Sequence, residues 1–258
     1  MNKKTIQSVF LGMVLLLMYL PILILAVYSF MDSAIIGKSG SFTVKNYVYL
    51  FHSEDLRSMI FGTLILALVV AVISTILGTL GAIGAFYSSK KFKRPIHLMN
   101  QIPVVNADVV TGFSICVLLI VFFKMDKASY VPLVIGLGSL CSPFVYLSVI
   151  PRLKQMDPQL YEAALDLGCS PFGALRKVVL PQLTSGIVSG FMMSITLTLD
   201  DYFITTYTKP SMFDTISTYV VNATKGAQTD VKTALWALST IIFLIVIFVV
   251  IGMNHTGR

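Results

Sequence analysis

Residues 59–87 read MIFGTLILALVVAVISTILGTLGAIGAFY, without one charged side chain, and SSKKFKR follows at 88–94. A helix of about 20 apolar residues crosses a hydrocarbon core about 30 Å thick, so this stretch is long enough to span a membrane. A basic cluster directly after a span marks the cytoplasmic end of that span. The sequence therefore predicts an integral membrane protein whose chain enters the cytoplasm near residue 90.

The composition of the whole chain supports that prediction. Of its 258 residues, 56% are apolar and 12% charged, with a mean hydropathy of +0.84. A soluble domain carries about 25% charged residues, so this chain has too few to cover a soluble surface, and its apolar content excludes disorder. Membrane proteins carry an excess of Lys and Arg in their cytoplasmic loops, so the net charge of +7 does not require a nucleic acid as partner. No motif indicates such a partner either.

Five further apolar stretches give six predicted spans in all, at 9–31, 59–87, 103–123, 131–150, 183–206 and 233–253. The first span resembles a signal peptide, but its apolar run exceeds the 7–15 residues of a signal core and no A-x-A site follows. With the N-terminus inside, eleven of the 19 Lys and Arg residues fall in inner segments. We therefore expect an all-α membrane protein, a single domain over 1–258 with six transmembrane helices and both termini cytoplasmic.

Cysteine and histidine residues give no sign of a metal site. They are scattered along the chain at Cys116, Cys141, Cys169, His52, His97 and His255. Neither set has the spacing of metal ligands or of a disulfide framework. We expect no metal and no cofactor in this chain.

Small residues recur within two of the predicted spans. They are Gly78, Gly81 and Gly84 in the second span and Gly186 and Gly190 in the fifth. In lipid, small residues let helix backbones approach closely. Glycine is also common in membrane helices generally, so the pattern leaves both interpretations open.

The inner loop at 151–182 carries the start and stop signals of two short helices. Asp157 with Pro158 is typical of a helix start, and Gly168 is typical of a left-handed helix end. Ser170 followed by Pro171 repeats the start signal, and the second helix is expected to end before Pro181.

The first of these helices is predicted to be amphipathic. Leu160, Ala163, Ala164 and Leu167 follow helical spacing, while Glu162 and Asp166 lie on the other side. A helix this short must pack on something to be stable. A helix on the membrane surface usually carries Lys and Arg, whereas this one carries carboxylates, so both a surface helix and a docking helix for a soluble partner remain open.

The same loop resembles the EAA loop of ABC importer permeases of the binding-protein-dependent, type I family. The family pattern is E-A-A, a short gap, G, nine residues and I-x-L-P, and here Val178 replaces the isoleucine. The resemblance implies a coupling helix that docks in a groove of a cytoplasmic ATPase, with a family core at about 59–253. The residues that it assigns to coupling are Glu162, Ala163, Ala164, Gly168, Leu180 and Pro181. Glu162 would meet a basic group, the alanines would allow close approach, and Gly168 would form the turn.

The resemblance also implies partner chains. The sequence contains no G-x-x-x-x-G-K-[ST] loop, so ATP and Mg²⁺ are expected in a separate ATPase, present in two copies, and this chain is expected not to be an enzyme. A second homologous permease would complete the pathway in the bacterial cytoplasmic membrane. An extracellular binding protein would deliver the cargo to the outer loops at 32–58 and 208–232.

Three carboxylates lie inside predicted spans, at Asp108, Asp200 and Asp201. An acidic residue near the bilayer centre costs about 2.5–3.5 kcal/mol on insertion scales and usually faces a protein interior or a water-filled cavity. Asp108 could instead cap a helix that restarts after Pro103. Asp200 and Asp201, taken as parts of one continuous helix, would point about 100° apart, so only one is expected to face the pathway.

The predicted cargo is a cation, because no Lys or Arg lies inside the six spans. Tyr202 and Tyr207 could attract ammonium groups, although packing against lipid or another helix is the commoner role for any single aromatic ring. The stretches at 19–23, 41–47 and 197–201 and the third-span stretch with Asp108 are similar to those of polyamine permeases of this family, which implies spermidine or putrescine. Another solute of the same family, such as ferric iron or thiosulfate, and an ATP-independent channel or secondary transporter are the alternatives.

Overall fold

The computed structural model describes residues 3–33, 40–157, 159–226 and 233–244. The chain forms two compact units, one made of Met1–Ser58 with Tyr219–Arg258 and the other of Met59–Thr218. The described residues are helical throughout, apart from loops and one isolated bridge between Met31 and Phe42.

The described helices follow the chain in this order: α1 (Lys3–Tyr28), α2 (Lys45–His52), α3 (Glu54–Tyr87), α4 (Lys90–Val105), α5 (Asp108–Cys116), α6 (Val131–Gln155), α7 (Gln159–Asp166), α8 (Pro171–Ala174), α9 (Leu180–Asp200), α10 (Phe203–Thr208), α11 (Ile216–Gly226) and α12 (Thr233–Leu244). Two π-helical segments extend them, Val117–Phe122 after α5 and Leu175–Val179 between α8 and α9.

Four of the described helical stretches are long and apolar enough to cross a membrane. They are Gln7–Tyr28, Glu54–Tyr87, Val131–Gln155 and Pro171–Asp200. The α4 and α5 segments pass the same test together but are bent by 104°. The predicted sixth span begins with α12, and its residues beyond 244 lie outside the described part. The count of six spans and the cytoplasmic termini therefore stay predictions.

The third predicted span is not the straight helix that 103–123 implied. The helix α4 ends at Val105, and α5 begins at Asp108 after a two-residue break. Hydropathy measures only how apolar a segment is, so it cannot detect a bend between two apolar segments.

The prediction that the second loop helix ends before Pro181 is wrong. Helical structure continues from Pro171 through the π-helical segment into α9 and reaches Asp200. A proline lacks the N–H that closes a normal helical turn, and wide π turns are one way in which a helix accommodates such an interruption. The loop is therefore joined to the following span by one continuous helical stretch.

The centre of the larger unit is α6, which packs against α9 and α3. The fully buried residues of α6 include Leu137, Val145 and Val149. At Gly190, an added Cβ would lie 3.0 Å from the Val145 Cα, and at Gly186 it would lie 2.9 Å from the Ser148 carbonyl oxygen. The G-x-x-x-G pair is therefore a packing contact, as close approach of small residues predicts.

The smaller unit is held together by contacts between its own helices. The Asn46 side chain donates hydrogen bonds of 2.7 and 3.0 Å to the carbonyl oxygens of Ser29 and Met31, which fixes α2 against the end of α1. The rings of Tyr28 and Trp236 meet edge-on with centroids 6.0 Å apart.

We expect Gly78→Val to destabilise the protein, whereas Gly84→Val on the same helix should not. A Cβ at Gly78 would lie 2.6 Å from the Val145 Cβ and 2.7 Å from the Ser142 carbonyl oxygen, while one at Gly84 meets nothing within 4 Å. Overpacking of this kind typically costs about 1–3 kcal/mol. Thermal unfolding of the two full-length variants in detergent measures the difference, and equal midpoints would contradict close packing at Gly78.

Candidate functional site: an exposed loop surface and an acidic helix break

The loop at 151–182 begins its first helix at the predicted position. The Asp157 Oδ1 accepts a hydrogen bond of 3.0 Å from the Gln159 backbone N–H, so it satisfies one of the free donors at the start of α7. Pro158 lies outside the described residues. The second start signal is also confirmed, because the Ser170 hydroxyl accepts a bond of 3.1 Å from the Gly173 backbone N–H.

Gly168 ends α7 in the way that the sequence predicts. Its φ is +84°, in the left-handed region that side chains with a Cβ rarely adopt. The Gly168 N–H donates to the Leu165 carbonyl at 2.9 Å, and the Cys169 N–H donates to the Ala164 carbonyl at 3.0 Å. These two bonds form a Schellman motif, which fixes the turn between the two halves of the loop.

One face of α7 packs against the core of the larger unit, and its contacts include a residue outside the predicted apolar stripe. Tyr161 packs against the core, and its ring centroid lies 4.9 Å from that of Tyr87 at the end of α3. Ala164 is only 6% exposed. Ala164 therefore faces inward, whereas the neighbouring Ala163 is exposed.

The other face of the loop is uncovered. Leu167 is 86% and Phe172 73% exposed, and Leu160, Glu162 and Ala163 are exposed beside them. We call these five residues the loop surface. Periodicity placed Leu160 and Leu167 on the same apolar side as Ala164, and in the structure only Ala164 of these three residues is buried. Among the residues that the structure describes, Glu162 forms no salt bridge. Leu180 and Pro181 lie apart from this surface, at the start of α9.

The helix break before Asp108 is one half of a second site. Asp108 lies in the first turn of α5, is exposed and is preceded by Ala107 as the N-cap residue. The Asn106 side chain donates a hydrogen bond of 3.0 Å to the Thr111 hydroxyl. A helix therefore does restart here, as the alternative role of Asp108 predicted, but the N-cap residue of that helix is Ala107.

The second helix break follows Asp200. The prediction that Asp200 and Asp201 lie within one continuous helix is wrong, because α9 ends at Asp200 and α10 begins at Phe203. The Asp201 Oδ2 accepts bonds of 2.7 and 2.8 Å from the Thr205 backbone N–H and hydroxyl, and Oδ1 accepts a bond of 3.4 Å from the Ile204 N–H. Asp201 is 8% exposed and accepts hydrogen bonds from the first turn of α10 from the position before the N-cap residue Tyr202, whereas the Asp200 side chain is exposed.

The two breaks come together where α5 packs on α10. A Cβ at Gly112 would lie 3.0 Å from the Ile204 Cα, so only the absence of a side chain allows this approach. Asp108 lies one helical turn before Gly112, and Asp201 lies three residues before Ile204, so this contact brings the two breaks near each other. We call Asp108, Asp200 and Asp201 the acidic break cluster.

Aromatic rings lie beside the acidic break cluster. Tyr207 meets Phe113 edge-on with centroids 5.9 Å apart, and Tyr202 meets Phe203 at 5.3 Å. Both tyrosines are half-buried. These contacts show that each ring has a packing partner, and they leave part of each tyrosine accessible.

Contacts with α6 locate the acidic break cluster along the membrane-crossing helices. The Cys141 thiol lies 3.6 Å from the Thr198 hydroxyl and donates to the Ser194 carbonyl at 3.7 Å. Cys141 lies near the middle of the 25-residue α6, and Thr198 precedes Asp200 by two residues. The cluster is therefore near mid-span, where broken helices are tolerated only if they are buried in protein or line a water-filled cavity.

An all-helical membrane protein with an exposed helical loop and a polar helix break near mid-span has the features of a transporter permease. The family model of the "Binding-protein-dependent transport system inner membrane component" matches residues 74–255. The chain belongs to this family. It is a multi-pass inner-membrane permease subunit of an ABC importer and not an enzyme.

Individual relatives agree with this assignment. The chain is 28% identical over 243 residues to the spermidine/putrescine transport system permease protein PotC of Escherichia coli K12, covering 93% of this chain and 89% of PotC. It is 28% identical over 238 residues to the putrescine transport system permease protein PotI of the same organism, covering 87% and 81%.

Solved structures support the fold. A bacterial alginate ABC transporter in complex with an alginate pentasaccharide-bound periplasmic protein matches with a TM-score of 0.75 and 17% identity, covering 98% of this chain and 93% of the other. An amino acid ABC transporter with histidines matches with a TM-score of 0.52 and 18% identity, covering 80% and 94%. At these identities the likeness concerns the fold alone.

Proposed function

We propose that this chain forms half of a translocation pathway for polyamines, with spermidine and putrescine as cargo. The observation that carries the proposal is the acidic break cluster near mid-span. No lysine or arginine lies inside the predicted spans, and the nearby Lys209 is paired with Asp214 at 2.6 Å. Carboxylates without a competing cation favour a positively charged cargo.

Two further observations support polyamine cargo. The relatives PotC and PotI are named for spermidine and putrescine. Tyr202 and Tyr207 offer partly accessible aromatic faces, which typically attract ammonium groups by about 0.5–2 kcal/mol each. A linear cation could therefore contact a carboxylate at one amine and an aromatic ring at the next.

The loop surface is the proposed docking site for the ATPase, so loop 151–182 and both termini would lie in the cytoplasm. Its exposed Leu167 and Phe172 would enter an apolar groove, while Glu162 would pair with a basic group. Two ATPase copies would bind ATP and Mg²⁺, and this chain would bind neither. Because the loop continues helically into α9, displacement of the loop would move the helix that carries Asp200.

A second homologous permease and an extracellular binding protein complete the proposed assembly. One similar solved structure is a complex of a transporter with a ligand-bound periplasmic protein, which supports such an arrangement. The outer loops at 32–58 and 208–232 would receive the binding protein. Binding of ATP would shift the population of conformations toward one in which the acidic break cluster is open to the outside.

Another solute of the same family is the alternative cargo. An anion such as thiosulfate or an acidic polysaccharide would be repelled by three carboxylates, whereas ferric iron would not. A competition experiment therefore has to include ferric iron as well as anions.

Uptake in proteoliposomes tests the proposal. The vesicles would contain this chain, its homologous permease and the ATPase, with the binding protein outside and labelled spermidine or putrescine as substrate. We expect accumulation only with ATP, competition by unlabelled polyamine and none by ferric iron, thiosulfate or alginate oligosaccharide. ATP-independent flux through the chain alone would indicate a channel or secondary transporter instead and would overturn the proposal.

A further inference from the structure

A basic pocket of about 470 Å³ lies where α3, α4 and α6 meet, apart from both parts of the site described above. Its polar wall consists of Lys93, Arg94 and His97 from α4 and Lys154 from α6, and its apolar wall includes Tyr146 and Ile150. None of the residues that line it is acidic.

The cations of this pocket have no counter-ion in the part of the chain that the structure describes. The salt bridge found there joins Lys209 to Asp214 and involves none of the pocket residues. The Lys93 Nζ lies 5.2 Å from the centre of the Phe86 ring, which orders the lysine without neutralising it. Three like charges gathered around one concave space repel one another unless an anion lies between them.

The position of the pocket indicates where such an anion comes from. Lys93 and Arg94 follow shortly after Tyr87, the last residue of the long apolar α3, and Lys154 lies one residue before the end of α6. Apolar helices give way to charged residues at this level, which is where lipid headgroups lie. The helix α4 also exposes Phe92, Met99 and Ile102, as an amphipathic helix at a membrane interface does.

We propose that this pocket binds the phosphate-bearing headgroup of an anionic membrane lipid. The phosphate would lie among Lys93, Arg94 and Lys154, and the glycerol and the first acyl carbons would lie against Tyr146 and Ile150. Basic pockets between transmembrane helices on the cytoplasmic side are a physically suitable site for such headgroups. Phe86 lines the pocket, and the next residue, Tyr87, contacts Tyr161 of α7. A bound lipid would therefore stabilise the end of α3 on which α7 packs.

Lipid binding to the full-length chain in detergent tests the proposal. Native mass spectrometry and thermal unfolding would be recorded with added phosphatidylglycerol, phosphatidylcholine or inorganic phosphate. We expect phosphatidylglycerol to be retained and to raise the unfolding temperature, with little effect from phosphatidylcholine. In the double variant Lys93→Gln/Lys154→Gln, the affinity for phosphatidylglycerol should fall on the order of tenfold.

The double variant Lys91→Gln/Lys177→Gln is the matched control, because it removes the same charge from exposed positions that do not line the pocket. It should retain phosphatidylglycerol as the unmodified chain does. An equal loss in both double variants would show diffuse attraction and overturn the proposal. If inorganic phosphate stabilised the chain and phosphatidylglycerol failed to displace it, the assignment to a lipid would be overturned. If the pocket variant fails to fold, Arg94→Gln alone gives the same comparison against Lys91→Gln.

Discussion

Glu162→Lys is expected to abolish ATP-driven uptake while the chain still folds. Glu162 is exposed on α7 and forms no salt bridge among the described residues, so the substitution should leave the fold intact. In the proposed complex, the reversed charge would face the basic group of the ATPase. Loss of one partner of a hydrogen-bonded charge pair at an interface costs about 2–5 kcal/mol, which is more than tenfold in affinity. Co-purification of the ATPase and ATP-dependent uptake in proteoliposomes measure the effect.

Asp126→Lys is the matched control for this charge reversal. Asp126 is also exposed, but it lies in the connection between α5 and α6 rather than on the loop surface. The control should bind the ATPase and take up substrate normally. Normal uptake by Glu162→Lys as well would contradict the coupling role of the loop surface.

The backbone at Gly168 allows the same role to be tested without a change of charge. Gly168→Val forces a branched side chain into a φ of +84°, which costs about 1–2 kcal/mol or more and breaks the turn after α7. Gly168→Asn keeps a residue that tolerates this conformation. We expect ATP hydrolysis to become uncoupled from uptake in the valine variant and to stay coupled in the asparagine variant.

Local signals explain why much of the loop could be predicted from the sequence. A serine cap, a left-handed glycine and an aspartate at a helix start act within three or four residues, so Ser170, Gly168 and Asp157 were identified correctly. Which face of α7 is covered depends on what lies beside it in space. Tyr161 is anchored by Tyr87, 74 residues earlier in the chain, and no periodicity within α7 contains that information.

The helix breaks show a second limit of sequence interpretation. Asp201 accepts hydrogen bonds from Thr205 at the start of α10, but this helix start lies in a stretch whose mean hydropathy is that of a membrane span. Pro103 and Asn106 similarly precede the bend before Asp108 without fixing its angle of 104°. The breaks at Asp108 and Asp201 come together because Gly112 meets Ile204. This is a tertiary contact, and the sequence shows only that a glycine is present.

Asp200→Asn is expected to reduce polyamine uptake at least tenfold without lowering stability. Its side chain is exposed at the end of α9, and the hydrogen bond from Ser217 goes to the Asp200 backbone carbonyl rather than to the carboxylate. An ionic contact at about 4 Å is worth on the order of 4 kcal/mol at an effective dielectric of 20, before desolvation is subtracted. A free energy of about 1.4 kcal/mol corresponds to a tenfold change in affinity, so the loss of only part of that contact energy would account for a tenfold reduction in uptake.

Asp201→Asn should behave differently, and the difference is what identifies the residue that meets the cargo. Asp201 accepts three hydrogen bonds with its two oxygens, and an amide nitrogen cannot accept its share of them. Leaving a buried donor without a partner costs about 1–3 kcal/mol, so this variant should lower the unfolding temperature. Asp200→Asn should unfold like the unmodified chain, and Asp126→Asn should change neither stability nor uptake. Wild-type uptake by both Asp200→Asn and Asp108→Asn would mean that the acidic break cluster supports the helix ends and does not contact the cargo.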